Sequence, residues 1–386
     1  MSQKHPNFKN PIIAAQTFDF PFVADTYQGH TMPSGREFVG ENAFIPIEEL
    51  IKNLKGTNKK VVLNIGDSST SGWDSNIVTQ NRERIAQNLP LLSAFFQYKT
   101  YSDCLRALIK DEYVVVNAGV PAHTSLQGSR RLKLLFDRFN KENIPIHWVT
   151  VYYGNNDSVW DHNRQDKEWV GRNMRAFIEK LTKPFKKSSS SVVTRVLPDD
   201  YQIYMKEIIR TCQNNNANVL VIEPITPIYW KPGTRVLNED LERRKYPGSD
   251  QVYQLLDDAR ALWAQAIKQT HHSDFKEVAL LEVREKDFVV PRIKRSYVNI
   301  LRSLVQEMDV WYIKVDLDRN EDDICYFIDY CHPIEKANQL IANKLAEVIS
   351  GKVTRKYDFT MKKNLSTFSK EVEQLNKLPT DHYTLY

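Results

Sequence analysis

The sequence predicts an α/β fold: a mostly parallel sheet of about five strands with helices packed on both faces. Two observations carry this expectation. Short apolar runs rich in Val, Ile and aromatic residues recur without polar alternation, and segments with helical spacing lie between them. Strands covered on both faces read as unbroken apolar runs, and strand alternating with helix implies parallel neighbours joined by crossover helices.

The runs are VVLNI (61–65), VVVNA (114–118), WVTVYY (148–153) and VLVIE (219–223), with WYIKVDL (311–317) a less regular fifth. Helical spacing marks 125–143, 198–215, 250–270 and a last helix, IEKANQLIANKLAEVI, at 334–349. Residues 1–57 form an N-terminal arm punctuated by Pro and Gly, with a few short strands or turns expected. The stretch KPFKKSSSSVVTRV (183–196) follows a helix-like segment and reads as a mobile loop, part of a lid, because its serines and lysines bury little apolar surface. A charged tail occupies 351–386, and no internal repeat is visible.

Composition narrows the function. In 386 residues, 41% are hydrophobic and 26% charged, as in a globular protein with a sizeable core. Lys and Arg number 53 against 48 Asp and Glu, and the resulting +5 is spread without a basic block, so no nucleic-acid partner is expected. Cys104, Cys212, Cys325 and Cys331 form no CxxC pair, and no Cys/His cluster has zinc spacing; free thiols and no metal are expected. The N-terminal residues lack the apolar core of a secretory signal, and no run of 18 apolar residues occurs. The expected location is therefore the cytoplasm, with no membrane span.

The chemistry gathers where the strands end. The first strand runs into Gly66, Asp67, Ser68, Ser69, Thr70, Ser71 and Gly72; the second into NAGVPAHTS, with Asn117 and Gly119; the third into GNND, 154–157. FIDYCHP, carrying Asp329 and His332, precedes the last helix. Parallel strands point these loops to one edge of the sheet, where ligands bind in such folds. A serine hydroxyl becomes a nucleophile when a histidine takes its proton and a carboxylate holds that histidine. Asp329 and His332, three apart, suit that pair. The N–H groups of Ser68 and Gly119 and the side-chain amide of Asn156 are the expected oxyanion donors. GDSSTSGW lacks the lysine of a P-loop, so it is not read as a phosphate cradle.

In GDSS, NAG, GNND and DYCHP the chain resembles the SGNH hydrolases, or GDSL-type esterases, across roughly residues 60–350. The resemblance implies a flavodoxin-like α/β/α sandwich over 58–350, with insertions near 160–195 and 225–300, and no cofactor. It matches Ser68 to the nucleophile, Gly119 and Asn156 to oxyanion donors, and Asp329 and His332 to acid and base. One departure is Ser69, where the family usually has leucine, which makes the surroundings of Ser68 more polar.

Other residues nearby have plainer readings. Asp67 is expected to cap the loop rather than serve as the acid, and Asp157 likewise. Cys331 adjoins His332, but neighbouring side chains diverge, so it is not read as a nucleophile. His123 is as well explained by capping as by a pocket, and His271 and His272 by solvent. Trp73, Tyr152, Tyr153 and Trp160 flank the site and either stack on substrate or fill core volume. Trp160, with Trp73 and Asn155, is taken as substrate-binding.

The expected activity is hydrolysis of a short-chain ester, an acetyl ester above all, of a hydroxylated, carbohydrate-containing small molecule or glycan. The alternatives are transfer of the acyl group to a sugar hydroxyl by the same triad, or cleavage of lipid esters or thioesters.

Overall fold

The computed structural model describes residues 23–25, 27–161, 165–168, 170, 192–233, 249–268, 274–317, 323–353 and 356. Of the expected lid loop, 183–196, residues 183–191 lie outside them, as do His271 and His272 and all but a few residues of the 351–386 tail.

Five strands form the parallel centre of the sheet: β5 (Lys60–Gly66), β6 (Tyr113–Asn117), β7 (Ile146–Tyr152), β8 (Asn218–Ile222) and β9 (Trp311–Ile313). Their spatial order is β6-β5-β7-β8-β9. They fall on the five apolar runs, although the last is cut to three residues. Two strands of the expected N-terminal arm, β3 (Phe38–Val39) and β4 (Phe44–Ile45), extend the sheet antiparallel beyond β6 to seven strands. This part of the arm, 38–45, thus belongs to the main sheet. Its first two strands, β1 (Val23–Asp25) and β2 (Gly29–Thr31), make a separate antiparallel hairpin.

Side-chain alternation divides the core in two. Val61, Leu63 and Ile65 of β5, with Val149 and Val151 of β7 and Val219 and Val221 of β8, face one helical layer. That layer comprises α1 (Ile47–Lys55), α5 (Ser125–Lys141), α6 (Pro198–Asn214) and α9 (Arg295–Glu307). Val62, Val115, Leu220 and Ile222 face α4 (Tyr101–Ile109) and α10 (Glu335–Ile349) on the other side. This is the three-layer sandwich expected from the sequence. Between the strands and the loop that follows β5, the second face also holds a buried polar chain. The Thr70 hydroxyl donates to Tyr101 Oη at 3.2 Å, Tyr101 to Thr150 Oγ1 at 3.2 Å, and Thr150 to Asn64 Oδ1 at 2.8 Å. Among the described residues no helix is long and apolar enough to cross a membrane.

Candidate active site

β5 ends at Gly66, Asp67 caps the next turn, and α2 (Ser68–Ser71) begins with Ser68. Asp67 Oδ1 accepts the Ser69 N–H at 2.9 Å, which is the capping role expected of it. The turn is tight enough to demand glycine: a Cβ at Gly66 would lie 1.9 Å from Thr70 Oγ1 and 2.9 Å from the Tyr152 carbonyl oxygen. A side chain at 66 would therefore push α2, and Ser68 with it, off the sheet edge.

The opposing loop lies between a 3₁₀ turn at Asp323–Tyr326 and α10, and is closed by a bridge between Phe327 and Pro333. Inside it, Asp329 Oδ1 accepts the N–H groups of Cys331 and His332, each at 2.9 Å. Its Oδ2 accepts His332 Nδ1 at 2.7 Å and the Ser75 hydroxyl from the start of α3 (Ser75–Ala86). With Nδ1 carrying that proton, His332 Nε2 is the acceptor facing Ser68 Oγ, 2.7 Å away. Ser69, at the family's leucine position, ties the two loops together by donating to the Cys331 carbonyl at 3.2 Å.

The electrostatics agree with this geometry. Burial opposes a charge on Asp329, but His332 beside it and hydrogen bonds from His332 and Ser75 outweigh burial and hold the carboxyl down at about 2. Burial likewise opposes the His332 imidazolium, yet the Asp329 carboxylate raises its pKa well above 6.5. Asp67 is pushed up to about 6 by burial, in spite of its hydrogen bonds from Ser69.

A family model, the GDSL-like Lipase/Acylhydrolase family, matches residues 65–287. The chain belongs to this family. It is accordingly a hydrolase that cleaves ester bonds. The matched span contains Ser68 and Asn156 and ends before Asp329 and His332, whose place beside Ser68 comes from the tertiary structure. Several solved structures are similar at low identity. They include an acetyl-xylooligosaccharide esterase from Geobacillus stearmophilus (14% identity, TM-score 0.36, 79% of this chain and 97% of that one). A psychrotrophic esterase, EstA, from Pseudoalteromonas sp. is another (13%, 0.34, 76% and 98%). A carbohydrate acetylesterase family member from Sinorhizobium meliloti is a third (12%, 0.37, 76% and 98%). No curated protein matches the chain.

For this GDSL-family site, the three expected oxyanion donors differ in what already occupies them. The Ser68 N–H has no hydrogen-bond partner among the described residues. Asn156 Nδ2 donates to Asp67 Oδ2 (3.3 Å) and to the His123 carbonyl (3.2 Å), so the amide lies beside the loop that bears Ser68 with both N–H groups engaged, and a substrate oxygen would have to take one of them from these long bonds. Gly119 requires a correction. Its N–H donates to Asn117 Oδ1 at 3.1 Å, and a Cβ there would stand 2.6 Å from Ser71 N. This glycine is required by the close approach of α2, not by a substrate oxygen.

The N–H that the sequence reading missed belongs to Ala122. The turn Val120–Pro121–Ala122–His123 is closed by His123 N–H donating to the Val120 carbonyl at 3.2 Å, and Ala122 has φ +62°. Proline second and positive φ third define a type II turn. Ala122 is exposed, and its N–H has no partner among the described residues. Pro121 announced a turn, but alanine does not announce a left-handed residue, so little in the local pattern signalled this donor.

The expected substrate-binding residues are also corrected. Trp160 is 6% exposed, packs edge-on against Tyr253 with centroids 6.1 Å apart, and lies among Val252, Leu256 and Val290. Trp73 is 7% exposed and packs against Phe95 at 5.2 Å. Asn155 is 1% exposed, and its Oδ1 accepts the Ile293 N–H at 3.0 Å, fastening the third loop to the insertion. Each is closed off by neighbours distant in sequence. Tyr152 and Tyr153 are core, and Asp157 accepts the N–H and hydroxyl of Ser125, the first residue of α5.

Asp329, Cys331 and His332 also present ligand atoms within 4.8 Å of one another, close enough to hold a cation. Burial, however, pushes the Cys331 thiol up to about 11, so it is neutral, and Asp329 Oδ2 and His332 Nδ1 already bind each other. A cation there would have to break the contact that aims His332 at Ser68.

Proposed function

We propose that the chain is a serine esterase that removes a short acyl group, acetyl above all, from a hydroxylated, carbohydrate-containing alcohol through an acyl-enzyme on Ser68, without a cofactor. The observation that carries this reading is the continuous hydrogen-bonded chain from Ser68 Oγ through His332 to Asp329.

In this reading Ser68 Oγ attacks the ester carbonyl as its proton passes to His332 Nε2, and Asp329 stabilises the imidazolium through Nδ1–H. The carbonyl oxygen, now negative, takes hydrogen bonds from the Ser68 and Ala122 N–H groups and the Asn156 amide. His332 returns the proton to the leaving alcohol. Water, deprotonated by the same histidine, then releases the acid and restores Ser68.

The short acyl group is supported by the company Ser68 keeps. Asp67, Ser69 and Asn156 are polar, and the large rings nearby, Trp73 and Trp160, are closed into clusters of their own. An apolar sheath would add about 0.8 kcal/mol per methylene, about fourfold in kcat/KM, so acyl-length preference reads out whether one exists. A rim of hydrogen-bonding groups suits a hydroxylated alcohol.

The test pairs a fluorophosphonate probe with a panel of p-nitrophenyl esters of increasing acyl length, assayed with and without excess sugar. Ser68 should be labelled and Ser68→Ala should not, with rates highest for acetyl to butyryl and free acid as product. Labelling retained in Ser68→Ala would refute the nucleophile. Rates still climbing at octanoyl would refute the short acyl group, and acylated sugar as main product would show a transferase.

A further inference from the structure

The hairpin of β1 and β2 lies outside the main sheet, yet it reaches the turn that carries Ala122. His30, on β2, places Nε2 2.9 Å from the Pro121 carbonyl oxygen. A carbonyl only accepts, so Nε2 bears the proton, and Nδ1 is left to accept from Gln127 Nε2 at 3.2 Å. The same Gln127 amide donates to the Gln28 carbonyl at 2.9 Å, holding the hairpin from its other side. The tie is reciprocal: His123 Nε2 donates to the His30 carbonyl at 2.8 Å, and the two rings meet edge to face with centroids 4.7 Å apart. Both imidazoles are buried and kept neutral mainly by that burial, which leaves one N–H on each ring for its carbonyl bond.

The peptide between Pro121 and Ala122 is trans, so its C=O and N–H point in opposite directions. A type II turn differs from a type I turn by a flip of this central peptide, and the type II form obliges Ala122 to take a φ of +62° that L residues seldom adopt. Flipping to type I would relieve Ala122 and swing the Pro121 carbonyl away from His30. The His30 bond therefore opposes the flip. With the carbonyl held toward the hairpin, the Ala122 N–H is directed the other way. The loop of Ser68 adjoins the turn there: the Val120 N–H donates to the Gly66 carbonyl, and Asn156 bridges His123 and Asp67.

We infer that His30 is a positioning residue for ester hydrolysis: through its bond to the Pro121 carbonyl it fixes the flipped peptide that presents the Ala122 N–H to the developing oxyanion. The N-terminal hairpin is thereby part of the catalytic apparatus. This rests on the esterase reading above, with Ala122 as a donor.

The experiment compares full-length wild type, His30→Ala, His30→Gln and the double variant His30→Ala/Ala122→Gly on p-nitrophenyl acetate, with thermal unfolding alongside. Misplacing one oxyanion donor should lower kcat of His30→Ala by about 10- to 100-fold while KM stays within about twofold. His30→Gln, whose amide can reach the Pro121 oxygen, should recover most of the loss. Ala122→Gly should raise kcat in the His30→Ala background, because glycine adopts positive φ without the Cβ penalty. Should His30→Ala fail to fold, His30→Asn, whose amide stops short of Pro121, takes its place in the comparison with His30→Gln. A folded His30→Ala with wild-type kcat, or a His30→Gln no better than His30→Ala, would overturn the inference while leaving the esterase reading intact. Wild type that is inert on every ester and unlabelled by fluorophosphonate would overturn both.

Discussion

His332 Nε2 stands 2.7 Å from Ser68 Oγ although 264 positions separate the two residues. The contact joins a turn at the end of the first parallel strand to a loop that closes just before the last helix. Its consequences can be measured.

The first concerns pH. Protonated His332 cannot accept the Ser68 proton, and the Asp329 carboxylate raises the His332 pKa well above 6.5 against the effect of burial. The active, neutral form is therefore lost as pH falls through that raised value. A profile of kcat/KM on a non-ionising ester should climb through a single limb placed above the ordinary histidine range and level off on the alkaline side. A limb at or below 6.5 would mean that Asp329 does not act on the working base.

Ser75 was not singled out by the sequence, but its hydroxyl donates to the same Asp329 oxygen that binds His332 Nδ1. Ser75→Ala removes a donor that partly neutralises the carboxylate, so the His332 imidazolium becomes better stabilised. The acid limb should move to higher pH, with a fall in kcat of about tenfold or less at neutral pH. An unchanged limb would mark Ser75 as packing only.

Asn156→Ala should lower kcat by about 10²- to 10³-fold with little change in KM, the signature of a donor used chiefly in the transition state. Because Asn156 also bridges Asp67 and His123, circular dichroism should accompany the kinetics. A folded variant retaining half of wild-type turnover would make the amide structural.

Gly66→Ala drives a methyl group into Thr70 Oγ1, 1.9 Å from the ideal Cβ position. The overpacking should cost about 1–3 kcal/mol and sharply reduce Ser68 labelling. Adding Thr70→Ala should restore part of the melting temperature. If the single variant melts with wild type, the turn is looser than its geometry indicates.

The sequence was most informative where structure is local and periodic. The five apolar runs located the parallel strands because a strand buried on both faces leaves no polar alternation, and β9 alone came out shorter than read. Gly66, Asp67 and Ser68 could be placed because a strand, a glycine and a capping acid are adjacent in the chain. The aromatic residues were misread for the opposite reason. Trp160 follows a strand and stands in a polar loop, which suggested a substrate wall, but Tyr253 and Val290 from the insertion cover it. Nothing within a few residues of Trp160 foretells that cover.

The sequence by itself determined that a serine, an asparagine and an Asp–His pair would meet at the carboxyl edge of a parallel sheet, since right-handed strand–helix–strand units send every such loop to the same edge. Only the tertiary structure decided which N–H groups there are left without a partner. Gly119 gives its N–H to Asn117 two residues away, whereas Ala122 keeps its own because His30, 91 positions before Pro121, holds the Pro121 carbonyl. A backbone group's availability depends on what its neighbours in space accept and donate, and those neighbours are chosen by packing between distant segments rather than by local pattern.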